Sequence, residues 1–254
     1  VIRRQARLVA QWMSVGFIHG VMNTDNTALS GETIDYGPAA FMDSYHPVTV
    51  YSSIDRNGRY SYDNQSRVIV WNMAQLAGAL VPLMPDNDAA IADFTETVNA
   101  MPARIEAAWR RRFAAKIGIA APRDGDETLV NDLLALMAEA GADFTNTFRD
   151  LARGSARDHF PDSGGYDRWH ARWHERLASE TEPDARMMAA NPALIPRNHR
   201  VEAMIQAAVA GDMGPFHRLL AALTTPYDEP APENRDLATP PQPHEEVRQT
   251  FCGT

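Results

Sequence analysis

From Val68 to Leu223 the chain repeats apolar residues three and four apart, broken by short polar or proline-bearing turns, and this period commits most of it to helices. The spacing predicts helices over Val68–Leu80, Ala89–Met101, Ala103–Lys116, Glu127–Ala140, Asp143–Leu151, Tyr166–Ser179, Arg186–Ala190, His199–Ala210 and Met213–Leu223. Pro82 and Pro85 stop the first, and Asp126 stands where a cap is wanted before Glu127. Another amphipathic helix opens the chain over Ile2–Trp12, with Ile2, Ala6, Val9 and Met13 on one side and Arg3, Arg4 and Arg7 on the other. Between them, Thr27–Ser30 and Thr33–Ile34 read as two short strands turning at Gly31-Glu32, and residues 39–66 read as irregular with a turn at Asp55–Gly58. The fold class is therefore mainly α with a small β-hairpin. After Thr224 proline becomes dense and large apolar residues scarce, as in an extended or mobile tail.

Composition narrows the function classes. Apolar residues make up 44% of the 254 and charged residues 22%, enough to bury a core. A net charge of −9 argues against nucleic acid as a partner. No run approaches the roughly 18 apolar residues of a membrane span, and no signal peptide is visible. A lone cysteine, Cys252, permits no disulfide within the chain and fits a reducing compartment such as the cytoplasm. The chain starts at Val1, so we expect a natural N-terminal portion to be missing.

Three residues could carry chemistry: Asp25, Asn26 and Asp35. Nine positions separate Asn26 from Asp35, and a strand out and back would return the second acid to the first pair. Mg²⁺, with Mn²⁺ as the alternative, takes oxygen ligands and needs only one or two from protein beside phosphate and water. Asn26 and Asp35 suit that role, and Asp25 could accept a proton from an attacking hydroxyl. The bland alternative is open at this point, because Asp and Asn are common in turns, where they satisfy backbone groups.

The order helix, His19-Gly20…Asp25-Asn26, hairpin, Asp35-Tyr36-Gly37 resembles the catalytic loop and metal-binding Asp-Phe-Gly element of protein kinases. The position two after the histidine, where kinases keep their base, is Val21 here. The longer stretches His19–Asn26, Thr33–Pro38 and Gly58–Gln65 resemble the selenoprotein O family and its bacterial relatives. More distant likenesses are Trp71-Asn72, Asp143–Arg149, Asn191–Leu194, Arg197-Asn198 and Gly211–Met213.

The resemblance implies a kinase-like C-lobe with a helical C-terminal extension. Residues 1–100 would hold the core and the metal-binding segment, 101–224 would continue the same lobe, and 225–254 would be the tail. It implies transfer of AMP from ATP to Ser, Thr or Tyr hydroxyls of protein substrates. Asp25 would be the proton acceptor, Asn26 and Asp35 the metal ligands, and Asp35 would lie close to the ATP phosphates. A phosphotransferase lobe, or a non-catalytic helical binding domain, is the alternative. The family's nucleotide-covering parts precede the His-Gly motif, so this stretch alone is expected to be inactive. In some bacterial members a cysteine third from the end pairs with one before the Gly-Arg-Tyr motif; Tyr51 stands in that neighbourhood here.

Other candidates weigh less. Lys116, the only lysine, is expected on a solvated face beside Arg110–Arg112. His170 and His174 could hold zinc, but a helix face carrying Trp169 and Trp173 explains them better. Asp124–Glu127 reads as a helix start rather than a calcium loop.

Overall fold

A computed structural model describes residues 1–161 and 163–251. It is mainly helical: α1 (Ile2–Ser14), α2 (Gln65–Leu80), α3 (Asn87–Asn99), α4 (Met101–Lys116), α5 (Asp126–Ala140), α6 (Phe144–Arg153), α7 (Ser163–Leu177), α8 (Pro183–Ala190), α9 (Asn198–Val209) and α10 (Gly214–Ala222). Strands β1 (Phe17–Ile18) and β2 (Ala40–Phe41) form a two-stranded antiparallel sheet. Among the described helices none is long and apolar enough to cross a membrane.

The β-structure is not where the sequence puts it. Residues 27–34 form turns and loop, with no ladder between Thr27–Ser30 and Thr33–Ile34. Their polar groups bond α1 instead: Gln5 Nε2 donates to the Ala28 carbonyl (2.5 Å), and Trp12 Nε1 to Thr33 Oγ1 (2.9 Å). Gly31, at φ 78°, lies so close to α1 that a β-carbon would stand 2.6 Å from Cβ of Arg4. A helix supplies the partners that a second strand would have supplied.

Two compact units divide the chain. The first comprises Val1–Ala40, Pro47–Arg112 and the segment from Gln249. Its centre is α1 packed on α2, with Ala6, Val9, Ala10, Val68, Ile69 and Met73 buried. The α2–α3 hairpin extends from it, and Asp86 caps α3 by accepting from the Asp88 and Ala89 amides.

The second unit, Phe41–His46 and Phe113–Arg248, holds α5 to α10. Asp143 caps α6 by accepting from the Asn146 amide (2.7 Å). Trp169 and Trp173 are buried with their indole N–H groups on the carbonyls of Leu129 and Ile117 (both 2.8 Å), so the α7 pattern is a core face. Asp126 is the first residue of α5 rather than its cap; its carboxylate accepts from Arg123 N and Arg176.

Two further expectations fail here. Lys116 is buried, because the last turn of α4 enters the core: Nζ donates to Asn191 Oδ1 (2.7 Å) and lies 4.0 Å from the Phe148 ring centre. The proline-dense tail is packed over one stretch of its length. A 3₁₀ turn over Pro232–Ala238 buries Leu237 against Leu194 and Leu219.

Candidate active site

The residues singled out from sequence lie in the first unit. Asp25 and Asn26 are adjacent on a 3₁₀ turn, Thr24–Asn26, just after the His-Gly pair. Asp35 follows Ile34, and two contacts tie that stretch to the His-Gly pair. His19 is fully buried, and its Nε2 bonds the Ile34 carbonyl (2.8 Å). A carbonyl can only accept, so Nε2 carries the proton, and Nδ1 is left to receive the Val21 amide (3.4 Å). Burial pushes the imidazole below its ordinary value, against the Ile34 bond and the nearby charge of Asp35, which fits this neutral tautomer. The second contact is at Gly20, where φ is 81° and a β-carbon would stand 3.0 Å from the Pro38 carbonyl oxygen. Glycine is what allows the two motifs to touch.

The three side chains themselves have few internal obligations. The Asn26 amide nitrogen donates to the Val21 carbonyl (3.0 Å), which leaves its oxygen without a partner among the described residues. The carboxylates of Asp25 and Asp35 are exposed and make no hydrogen bond or ion pair there either. Asp35 has φ 54°, a left-handed conformation that costs a non-glycine residue about 1 kcal/mol. Among the described residues no three His, Cys, Asp or Glu side chains gather as a metal centre. An amide and a carboxylate suit a hard ion that keeps phosphate and water as its other ligands.

Several residues that support this turn escaped the sequence reading. Gln65, buried at the start of α2, accepts from His19 N (3.0 Å) and donates to the carbonyls of Phe17 and Tyr62. Asn72, one face further along α2, donates to the Met22 carbonyl (3.1 Å) and to Thr27 Oγ1 (2.9 Å). Tyr60 donates to Asn23 Oδ1 (2.6 Å), and the Arg59 guanidinium lies 4.7 Å from the Trp71 ring centre. The signal was present: these residues lie in the stretches Gly58–Gln65 and Trp71-Asn72 that carry the family likeness. Apart from Tyr62 and Trp71, their partners lie 37 to 50 residues away, which spacing alone cannot reveal.

The last described residues also reach this unit. Thr250 donates its amide to the Tyr51 carbonyl (2.8 Å), receives the Ser53 amide (3.0 Å), and sets its hydroxyl on the Pro38 carbonyl (2.5 Å). Cys252 lies outside the described residues. An apolar cleft of about 520 Å³, lined by Ile2, Met73, Leu76, Leu80 and Phe94, contains none of the three candidate residues. Its walls offer no acid or amide for a phosphate-bound cation, so we do not assign it to the same chemistry.

The motif likenesses in the second unit are of another kind. Arg149 is buried and donates to the carbonyls of Met188, Asn191 and Tyr227 and to Glu229. Arg197 pairs with Asp43 (2.7 Å) and Asp143 (2.5 Å). These side chains hold chain segments together.

With both units described, the sequence comparison gives the class: the chain belongs to the family described as protein adenylyltransferase SelO, whose model matches residues 1–224. Among curated proteins it is similar to the protein nucleotidyltransferase YdiU of Ruegeria pomeroyi, 58% identical over 250 residues, covering 98% of this chain and 53% of that protein. The YdiU proteins of Roseobacter denitrificans (58% over 254 residues, 100% and 53%) and Jannaschia sp. (52% over 260 residues, 100% and 54%) are similar too. The chain spans about half the length of the curated relatives it matches.

Proposed function

We propose that this chain is the kinase-like C-lobe of a protein adenylyltransferase, which moves AMP from ATP to Ser, Thr or Tyr hydroxyls of other proteins. The carrying observation is the pair of motifs tied by the His19–Ile34 bond and bearing three side chains whose oxygens are unpartnered among the described residues. Family membership and the names of the relatives support the chemistry.

In this reading Asp25 takes the proton from the substrate hydroxyl as its oxygen attacks the α-phosphorus. The oxygen–phosphorus bond forms, the bond to the bridging oxygen breaks, and pyrophosphate leaves. Asn26 Oδ1 and the Asp35 carboxylate would hold Mg²⁺, or Mn²⁺ in its place, which when bound neutralises charge on the triphosphate. Asp35 would also lie close to the phosphates. His19 keeps Ile34, and so Asp35, in register with the turn, and its buried neutral ring places no competing cation there. Attack at phosphorus asks for positioning and charge balance more than for covalent help, and this donor set supplies both. A reaction drawing on ATP fits a cytoplasmic setting.

The test uses the full-length protein with ATP labelled at the α- or γ-phosphate, with and without Mg²⁺. The reading expects label on protein from the α-position only, and none from this chain alone. Label from the γ-position would instead make it a phosphotransferase. No Mg²⁺-dependent ATP binding by the full-length protein would make it a non-catalytic domain.

A further inference from the structure

We propose that Tyr60 and Asn72 are positioning residues that clamp the turn carrying Asp25 and Asn26 from two sides; this rests on the function proposed above. The turn has little to hold it from within. Its internal bonds are Asn26 N to the Asn23 carbonyl (3.1 Å), Asn23 N to the Val21 carbonyl (2.8 Å), the Asn26 amide to the Val21 carbonyl, and Thr27 Oγ1 to the Asn23 carbonyl (3.1 Å). Asn23, Thr24 and Asp25 are exposed, so apolar burial fixes none of them. A short exposed 3₁₀ turn wanders unless something outside it sets its position.

Two external side chains do so. Asn72, buried on α2, uses both amide hydrogens: one holds the Met22 carbonyl before the turn, and the other holds Thr27 Oγ1 after it. Thr27 passes that bond on, because its own hydroxyl hydrogen goes to the Asn23 carbonyl. Asn72 Oδ1 is buried without a partner among the described residues, so the residue keeps an unfavourable acceptor while it presents two donors. Tyr60 works from the other side. Its ring is buried, the Asp55 carboxylate receives its backbone amide (2.7 Å), and its hydroxyl donates to Asn23 Oδ1. Neither residue has a group directed at the reacting atoms in this account; each acts through the turn.

Tyr60→Phe keeps the buried ring and removes one hydroxyl. Thr27→Val removes the link to Asn72 without opening α2, and Thr27→Ser restores it. All are made in the full-length protein. In Tyr60→Phe and Thr27→Val we expect kcat for AMP transfer to fall about tenfold, the factor set by roughly 1.4 kcal/mol, with KM for ATP within about twofold of wild type. Thr27→Ser should recover most of the loss. Amide hydrogen exchange in the metal-free protein, with no nucleotide, should quicken at residues 22–27 and stay unchanged in α1 and α2. In a cycle with Asn23→Ala, the double variant should be no slower than the slower single variant, because both remove the same bond.

Unchanged kcat in Tyr60→Phe, multiplying losses in the cycle, or faster exchange spread over the whole unit would overturn the clamp. If the wild-type protein transfers no AMP, the function proposed above fails, and the clamp is then judged on the exchange pattern alone.

Discussion

The turn at Asp25–Asn26 and the buried knot around Arg197 and Arg149 are built from the same kinds of polar residue, and they meet opposite fates. In the knot, Arg197 is 1% exposed and bonds Asp43, Asp143 and the Ala238 carbonyl, while both terminal nitrogens of Arg149 are committed to carbonyls and Glu229. At the two motifs of the first unit, the carboxylates of Asp25 and Asp35 are exposed, and they and the amide oxygen of half-buried Asn26 have no partner among the described residues. Side chains whose terminal groups are committed to internal partners have little left to offer a ligand, even though Nε of Arg149 and of Arg197 is buried without a partner among the described residues, and groups left without internal partners contribute little to the fold. A motif likeness alone does not separate these two cases; hydrogen-bond partners do.

The largest expected effect tests the turn. Asp25→Ala in the full-length protein should lower AMP transfer by about 10²- to 10⁴-fold. Its thermal midpoint should hardly move, since exposed substitutions stay within about 0.5 kcal/mol. Label transfer beside a melting scan checks both halves.

The knot should answer in reverse. Arg197→Ala leaves buried Asp143 and part-buried Asp43 without their cation, and removal of one partner of a buried pair costs about 3–5 kcal/mol. Urea unfolding of this chain should show that loss. An Arg197→Ala protein of wild-type stability would erase the distinction between the two regions.

Lys116 sharpens the comparison through pH. Burial holds its amine well below the ordinary value of 10.5. The unfolded chain therefore binds a proton that the folded one lacks, and stability rises with pH from the folded value up to about 10.5. Lys116→Met should remove that slope, at most about 1.4 kcal/mol per pH unit, as read from urea midpoints across alkaline pH.

The smallest effect is at the knot's rim. Glu229 is 54% exposed at its side chain, although Arg149 and Arg153 both reach it. Glu229→Gln should cost no more than about 1 kcal/mol in the same assay, because solvent screens exposed pairs. A loss as large as that of Arg197→Ala would place Glu229 inside the knot.

Sequence by itself determined the helices, because a period of three and four can be satisfied only by one face of a helix whatever it packs against. It also offered Asp25, Asn26 and Asp35 as candidates, since acids and amides beside glycines suit an oxygen-bound cation, although the same letters serve in turns. It misplaced the strands: Thr27–Ile34 has strand-like letters, but its partners are Gln5 and Trp12 on α1. It sent Lys116 to the surface because four basic residues among the last seven of α4 do not say which of them turns inward. Only the tertiary structure decided those points, along with Tyr60 on Asn23, Asn72 on Met22 and Thr27, and the tail on Tyr51 and Pro38. The reason is that a hydrogen bond is fixed by distance in space, and residues dozens of positions apart acquire that distance only when the chain has folded.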